Sequence, residues 1–265
     1  MSDFRFRSSL LIAGIALTLT SAGCVGPRGE LKGRASDEWA RSYTLQDGGE
    51  FQIVGGTGTI EVTAGDGPSV EVKAERVAHA ASDEAAKLIP SRIKILEDVS
   101  PAKVVLRNEG LDGVVVGVQL EVNFRVTVPP ATRLRLRTAS GDITVTNTAG
   151  SVVASTTNGT ITARAVSGGF EARTTNGNVV ADVAALHNAA IDLRTTNGSI
   201  TLTLPSAAAA NVDASCTNGT IDVQGFTLEA SGQGNRKRVR GAINEGGTLV
   251  QMASTNGNIT LKAAQ

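Results

Sequence analysis

At 265 residues, with Lys+Arg and Asp+Glu matched at 25 each, the chain is long enough for one large β domain and lacks the basic excess that nucleic-acid binding demands. Hydrophobic residues make up 41% and charged residues 19%, which supplies a core and excludes a disordered chain. Aromatics are only 3%, too few to furnish stacking platforms for bases.

Residues 1–23 read as a secretory signal peptide. Arg5 and Arg7 give a positive start, and the uncharged run 10–19 is ten residues long, short of the roughly 20 that span a bilayer. Ser21-Ala22-Gly23 precede Cys24, so "TSAGC" fits a lipobox with Ser where Leu is usual. Cys24 is expected to carry lipid, with ordinary cleavage and release as the alternative. Cys216 is then the one remaining cysteine, too few for a disulfide framework, and reads as a small buried filler. Residues 24–38 are rich in Gly, Pro and charge and read as a flexible tether.

Residues 39–130 hold a divergent first repeat and a β-rich cap. The first repeat lies in 51–62, with "GGTGTIEV" at its turn. The stretch 69–77 alternates as a strand. Ser82 followed by acids predicts a short helix over 82–89, ended by Pro90. "RIKIL", "KVVLR" and "VQLEVNFRVTVP" read as further strands, with Leu120, Val122, Phe124, Val126 and Val128 on one face before Pro129-Pro130.

From 131 to 265 the chain repeats itself. Asn-Gly occurs with the Asn at 158, 176, 197, 218 and 256, and Ser140 and Thr57 hold the same place in earlier copies. The glycines that follow are spaced by 83, 18, 18, 21, 21 and 38 residues. Two, four and six residues before each Asn stand inward candidates such as Thr174, Ala172 and Phe170. Three and five residues after it stand pairs such as Val179 and Ala181. This period of two gives two short strands per copy, each with one buried face.

An antiparallel meander and a parallel β-solenoid share this parity. Hairpins need Asn-Gly but not Thr-Thr before it each time, whereas stacking rewards sameness because Asn158, Asn176, Asn197, Asn218 and Asn256 could pass amide hydrogen bonds along a ladder. The expected fold is therefore all-β: a parallel β-solenoid (β-helix) of 18–21-residue rungs, with an N-terminal β-rich cap containing one short helix.

Two charged features stand out. Glu171, Asp192 and Asp213 lie five residues before their Asn, in an outward column on three successive copies, with Arg173 and Arg194 two places further on. Diagonal ion pairs would offset the like charges. A row of oxygen ligands also suits calcium, and close carboxylates suit a retaining glycosidase. The other is "NRKRVRG", where Arg236, Lys237, Arg238 and Arg240 read as a solvated loop or as a site for an anionic ligand. His79 and His187 have no Cys or His at metal-ligand spacing, and G-x-S-x-G, H-E-x-x-H and C-x-x-C do not occur.

"VTVPPATRLRLRTASGDITV", followed by "VVASTTNGTITA", "FEARTTNGNVVA" and "IDLRTTNGSITL", resembles the DUF4097-type adhesin-like family of bacterial envelope proteins, related to adhesin-head GIN domains. The resemblance covers about 120–261 and implies an exported or membrane-anchored β-helical body. It brings no catalytic residues to transfer. The expected protein is an exported, non-catalytic, lipid-anchored scaffold of the cell envelope (outer membrane or periplasm if the cell is Gram-negative), binding a protein or polysaccharide without a cofactor. The alternative is a polysaccharide-active β-helix enzyme using the carboxylate column. Ice binding by threonine arrays is disfavoured because Val180 and Asp222 interrupt the column of Thr162, Thr201 and Thr260.

Overall fold

The computed structural model describes residues 31–111, 117–187, 189–230 and 237–264. Its N-terminal part comprises β1 (Gly33–Thr44), β2 (Glu50–Val54), β3 (Ile60–Ala64), β4 (Ser69–Ala80), helix α1 (Asp83–Lys87), β5 (Lys94–Ser100), β6 (Lys103–Glu109) and β7 (Gln119–Val128). The repeats follow as β8 (Arg133–Ser140), β9 (Ile143–Thr146), β10 (Val152–Asn158), β11 (Ile161–Val166), β12 (Phe170–Asn176), β13 (Val179–Val183), β14 (Ile191–Asn197) and β15 (Ile200–Leu204). The chain ends with β16 (Ala210–Asn218), β17 (Ile221–Gln224), β18 (Leu228–Ala230), β19 (Arg238–Ile243), β20 (Thr248–Asn256) and β21 (Ile259–Ala263).

Among the described residues the fold is all-β apart from α1 and a single 3-10 turn at Pro90–Arg92, and its repeats build parallel sheets. One sheet has ten strands in the order β1-β4-β7-β3-β9-β11-β13-β15-β21-β17. The other has eleven, in the order β18-β19-β16-β20-β14-β12-β10-β8-β2-β6-β5. Each Asn-Gly corner leads from a strand of the second sheet into one of the first. Successive corners lie side by side: Asn158 pairs with Asn176 and Asn176 with Asn197, all in parallel ladders.

The strands form because every second residue is apolar and points inward. In β12, Phe170, Ala172 and Thr174 are buried while Arg173 is exposed, and β14 repeats this with Ile191, Leu193 and Thr195. Val179 and Ala181 of β13 meet Ile200 and Leu202 of β15 in register from the other sheet. One continuous core results, with Phe51, Phe124 and Phe170 among its largest fully buried side chains. Burying each such side chain stabilises by roughly 1.5–3 kcal/mol.

The order of the layers departs from the order of the sequence at both ends. The spacing predicts Asn218 beside Asn197. Instead β20 lies between β14 and β16, pairing Asn256 with Asn197 on one side and with Asn218 on the other. Likewise β21 lies between β15 and β17. The long gap before Asn256 holds a hairpin, and its strand β19 runs antiparallel along the outer side of β16. The chain then turns back to fill the inner layer. At the other end β2 lies between β6 and β8, and β3 between β7 and β9.

The N-terminal cap covers the first layers. β4 pairs antiparallel with both β1 and β7, and Ser82 caps α1 by accepting from the Ala85 N–H. The Tyr43 hydroxyl donates to Glu97 at 2.6 Å, linking the outermost strands of the two sheets. Residues 33–38, expected in the tether, are the first half of β1. Their charges are partnered across the strand pair, Arg34 with Glu75 and Asp37 with Arg76. Charge-rich composition marks a linker, but it also marks a protected sheet edge.

Candidate functional site

The repeated tetrad at each corner has a division of labour. The first Thr is buried and donates to the glycine carbonyl of the neighbouring layer: Thr156 to Gly141, Thr174 to Gly159 and Thr195 to Gly177, at 2.9–3.1 Å. Ser254 does the same to Gly198. The Asn side chains form a continuous ladder, each amide donating to the next carbonyl, from Asn218 to Asn256, Asn197, Asn176 and Asn158 at 2.7–2.8 Å. Asn158 ends it with a 3.4 Å contact on Ser140. The glycine is obligatory: a Cβ on Gly177, at φ +154°, would sit 2.0 Å from the Gly159 carbonyl oxygen. Cys216 takes the Thr place in the outermost layer and is buried.

The second Thr of the tetrad is different. Thr157, Thr175, Thr196, Thr255 and Thr217 are exposed and occur in that order across five adjoining layers. Among the described residues, none of these five hydroxyls is hydrogen-bonded within the protein. With Ser155, Ser215, Arg173 and Arg194 they line a surface groove of about 540 Å³. The groove runs across the strands, with its hydroxyls repeating about every 4.8 Å. Period-two alternation already turns the first Thr inward and the second outward; the bonding pattern adds that the first is committed to a glycine carbonyl.

The acidic column is rearranged by the inserted layer. Glu171 and Asp192 are neighbours, as expected, but Gln251 stands between Asp192 and Asp213. The three acids therefore do not lie on consecutive layers. Arg173 pairs with Glu171 and also with Asp192 at 2.9 Å, and Arg194 pairs with Asp192 at 2.8 Å. The hydrogen bond that Arg194 donates to Asp192 raises the Arg194 pKa above its ordinary value. Among the described residues no group of three or more His, Cys, Asp or Glu is placed to hold a metal ion.

The basic segment near the C-terminus is partly neutralised. Arg236 lies outside the described residues. Lys237 accepts from the Cys216 N–H through its carbonyl. Arg238 and Arg240 both bind Asp213 at 3.0 Å. Burial pushes the Asp213 carboxyl up, but hydrogen bonds from Arg240 and Arg238 outweigh it and hold the pKa below the ordinary value. His187 places Nδ1 3.2 Å from the Ser167 carbonyl oxygen, and His79 sits in β4 opposite Arg34 and Gln119, so neither belongs to the carboxylate column.

The model of the family described as Toastrack DUF4097 matches residues 58–262. Among solved structures the chain is similar to a candidate cell adhesion protein from Clostridium sporogenes, at 12% identity and a TM-score of 0.54, over 87% of this chain and 100% of that one. It is also similar to a candidate adhesin from Bacteroides fragilis, at 11% identity and a TM-score of 0.35, over 86% of this chain and 97% of that one. No curated protein matches the chain.

Proposed function

The chain belongs to the Toastrack DUF4097 family, and we propose that it acts by display and binding rather than by catalysis. In this reading the parallel sheets are the sides of a β-solenoid whose rungs advance by 18 or 21 residues, as from Asn158 to Asn176 and from Asn176 to Asn197. The protein is exported, anchored in the cell envelope by lipid on Cys24, and presents the eleven-stranded sheet to a protein or polysaccharide. Cys24 lies outside the described residues. Among the described residues no helix is long and apolar enough to cross a membrane.

The observation that carries the reading is the groove lined by five exposed threonines, whose hydroxyls have no hydrogen-bond partner among the described residues. Donors and acceptors at regular spacing, open to solvent and backed by a rigid ladder, suit an extended polar partner better than a compact one. The hydrolytic alternative is weakened by the same geometry. Glu171 is engaged by Arg173, and Asp192 by both Arg173 and Arg194, so the two carboxylates are committed to ion pairs rather than turned toward a glycosidic bond.

Envelope extracts and a glycan array probed with the protein test this directly. The expected result is a bound partner that is lost in a Thr175→Val/Thr196→Val/Thr255→Val variant of unchanged melting temperature. Finding no partner in either format would count against the proposal.

A further inference from the structure

Although the chain is neutral overall, its charge is unevenly distributed over the eleven-stranded sheet. Around Glu171, Asp192 and Asp213 the arginines are matched by acids. On β6, β2 and β8 they are not. Three rows on the face turned away from the core cross these strands in register: Lys103, Glu50 and Arg133; then Val105, itself buried, with Gln52 and Arg135; then Arg107, Val54 and Arg137. Five cations thus surround one carboxylate, on a patch roughly 10 Å by 14 Å from strand spacing and rise.

That carboxylate is shared. Glu50 is ion-paired with Lys103 at 2.9 Å and lies 3.9 Å from Arg135. The Lys103 ammonium beside it outweighs burial and holds the Glu50 pKa below the ordinary value. Arg133 is held in place by donating to the Gly48 carbonyl at 2.9 Å. Among the described residues, neither Arg107 nor Arg137 has an ion-pair partner. The adjoining edge strand β5 adds a single acid, Asp98 opposite Val105, and places Leu96, 43% exposed, beside Arg107. At the margin Glu109, the next residue of β6 on this face, stands opposite Lys94, so the patch carries six cations against three carboxylates.

Its position matters as much as its charge. β5, β6 and β2 lie at the same end of the sheets as β1, β4 and β7, linked there through Tyr43 and Glu97. This is the end at which the chain enters β1 at Gly33. Eight residues separate Cys24 from Gly33, a reach of about 30 Å at full extension. An anchor on Cys24 would hold this end close to a membrane surface, where charge attraction acts only over a Debye length of roughly 8–10 Å.

We propose that Lys103, Arg107, Arg133, Arg135 and Arg137 form a docking face for anionic phospholipid headgroups, which lays this end of the protein against the membrane. Guanidinium groups suit phosphate because their N–H donors match two of its oxygens at once. The exposed Leu96 can enter the headgroup boundary beside Arg107. The Thr groove lies further along the same sheet, so the docking face is independent of the binding reading given above.

The test uses the chain from residue 24 with Cys24→Ser, which retains the compact unit of residues 31–265 and has no acyl chain. It is sedimented with phosphatidylcholine vesicles containing or lacking phosphatidylglycerol. Binding is expected only with phosphatidylglycerol and is expected to weaken as salt rises. Because each basic residue near an anionic surface contributes roughly a fivefold gain, Arg107→Gln/Arg135→Gln/Arg137→Gln should bind on the order of 100-fold more weakly. Removing equal charge from the other sheet, as Lys73→Gln/Arg125→Gln/Arg164→Gln, should change little, with melting curves verifying both folds. The proposal is overturned if both triple variants lose binding alike. It is also overturned if the parent ignores phosphatidylglycerol and instead binds a soluble acidic polysaccharide.

Discussion

Engineered cysteines can read the order of the layers directly. Thr196 and Thr255 lie between the register pairs Thr195–Ser254 and Asn197–Asn256, so they are adjacent-layer neighbours about 4.8 Å apart. Thr196 and Thr217 are separated by the whole of β20, hence by about 10 Å, beyond the roughly 7 Å at which a disulfide can close. In a Cys24→Ser/Cys216→Ser background, Thr196→Cys/Thr255→Cys should oxidise within one molecule, and Thr196→Cys/Thr217→Cys should not. The closed loop of about 60 residues should stabilise by up to ~4 kcal/mol, a rise of about 10 °C in melting temperature for a domain of this size. Mass spectrometry of tryptic peptides and non-reducing melting curves provide the readout. An intramolecular bond between positions 196 and 217, with none between 196 and 255, would refute the inserted layer.

The two threonines of a tetrad should behave oppositely. Thr174→Val removes a 3.0 Å bond and strands the Gly159 carbonyl, costing ~1–3 kcal/mol, whereas Thr175→Val on the exposed surface should stay within about 0.5 kcal/mol; equal losses in chemical denaturation would contradict the bonding scheme. Asp213 contributes acid-sensitive stability. Its folded pKa lies below the ordinary value, so that stability is complete above the unfolded carboxylate range near pH 4 and is lost as pH falls through the folded pKa. The melting temperature of the wild type should therefore drop more steeply below about pH 4 than that of Asp213→Asn, and parallel curves would show that the two arginines do not hold the carboxylate.

The corner was legible because its three constraints fall on different residue types. A buried hydroxyl, an amide ladder and a close backbone approach select Thr, Asn and Gly in a fixed order, and no ordinary hairpin demands all three. The helix at α1 was legible from Ser82 and the acids behind it. The boundary of β1 was not, because "GRASDE" reads the same whether its charges meet solvent or meet Glu75 and Arg76. The basic patch was invisible for a related reason. Its cations sit apart in the chain, on one face of β6 and of β8, joined only by β2 lying between them. Meanwhile the one dense basic run, near 235–241, partly spends its charge on Asp213.

The layer order poses a harder question, since nothing in the tetrad distinguishes Asn218 from Asn256 as the neighbour of Asn197. Thr or its substitute, Asn and Gly would bond identically in either arrangement, so the repeated residues set the register and leave the order open. The residues that differ must decide. Stacking in sequence order would put Asp213 directly beside Asp192, two like charges about 5 Å apart, at a cost of roughly 0.2–1 kcal/mol. Inserting β20 puts neutral Gln251 between them. It also leaves Asp213 on the outer strand, where β19 can lie alongside and supply Arg238 and Arg240. The core agrees with this choice: Met252 fills the inner layer against Leu193, whereas the outer layer carries only Ala214 at that place. In the outer layer Ile221 and Val223 are only half-buried, where Ile259 and Leu261 are fully so. The larger apolar set belongs in the enclosed layer, because there it removes more surface from water.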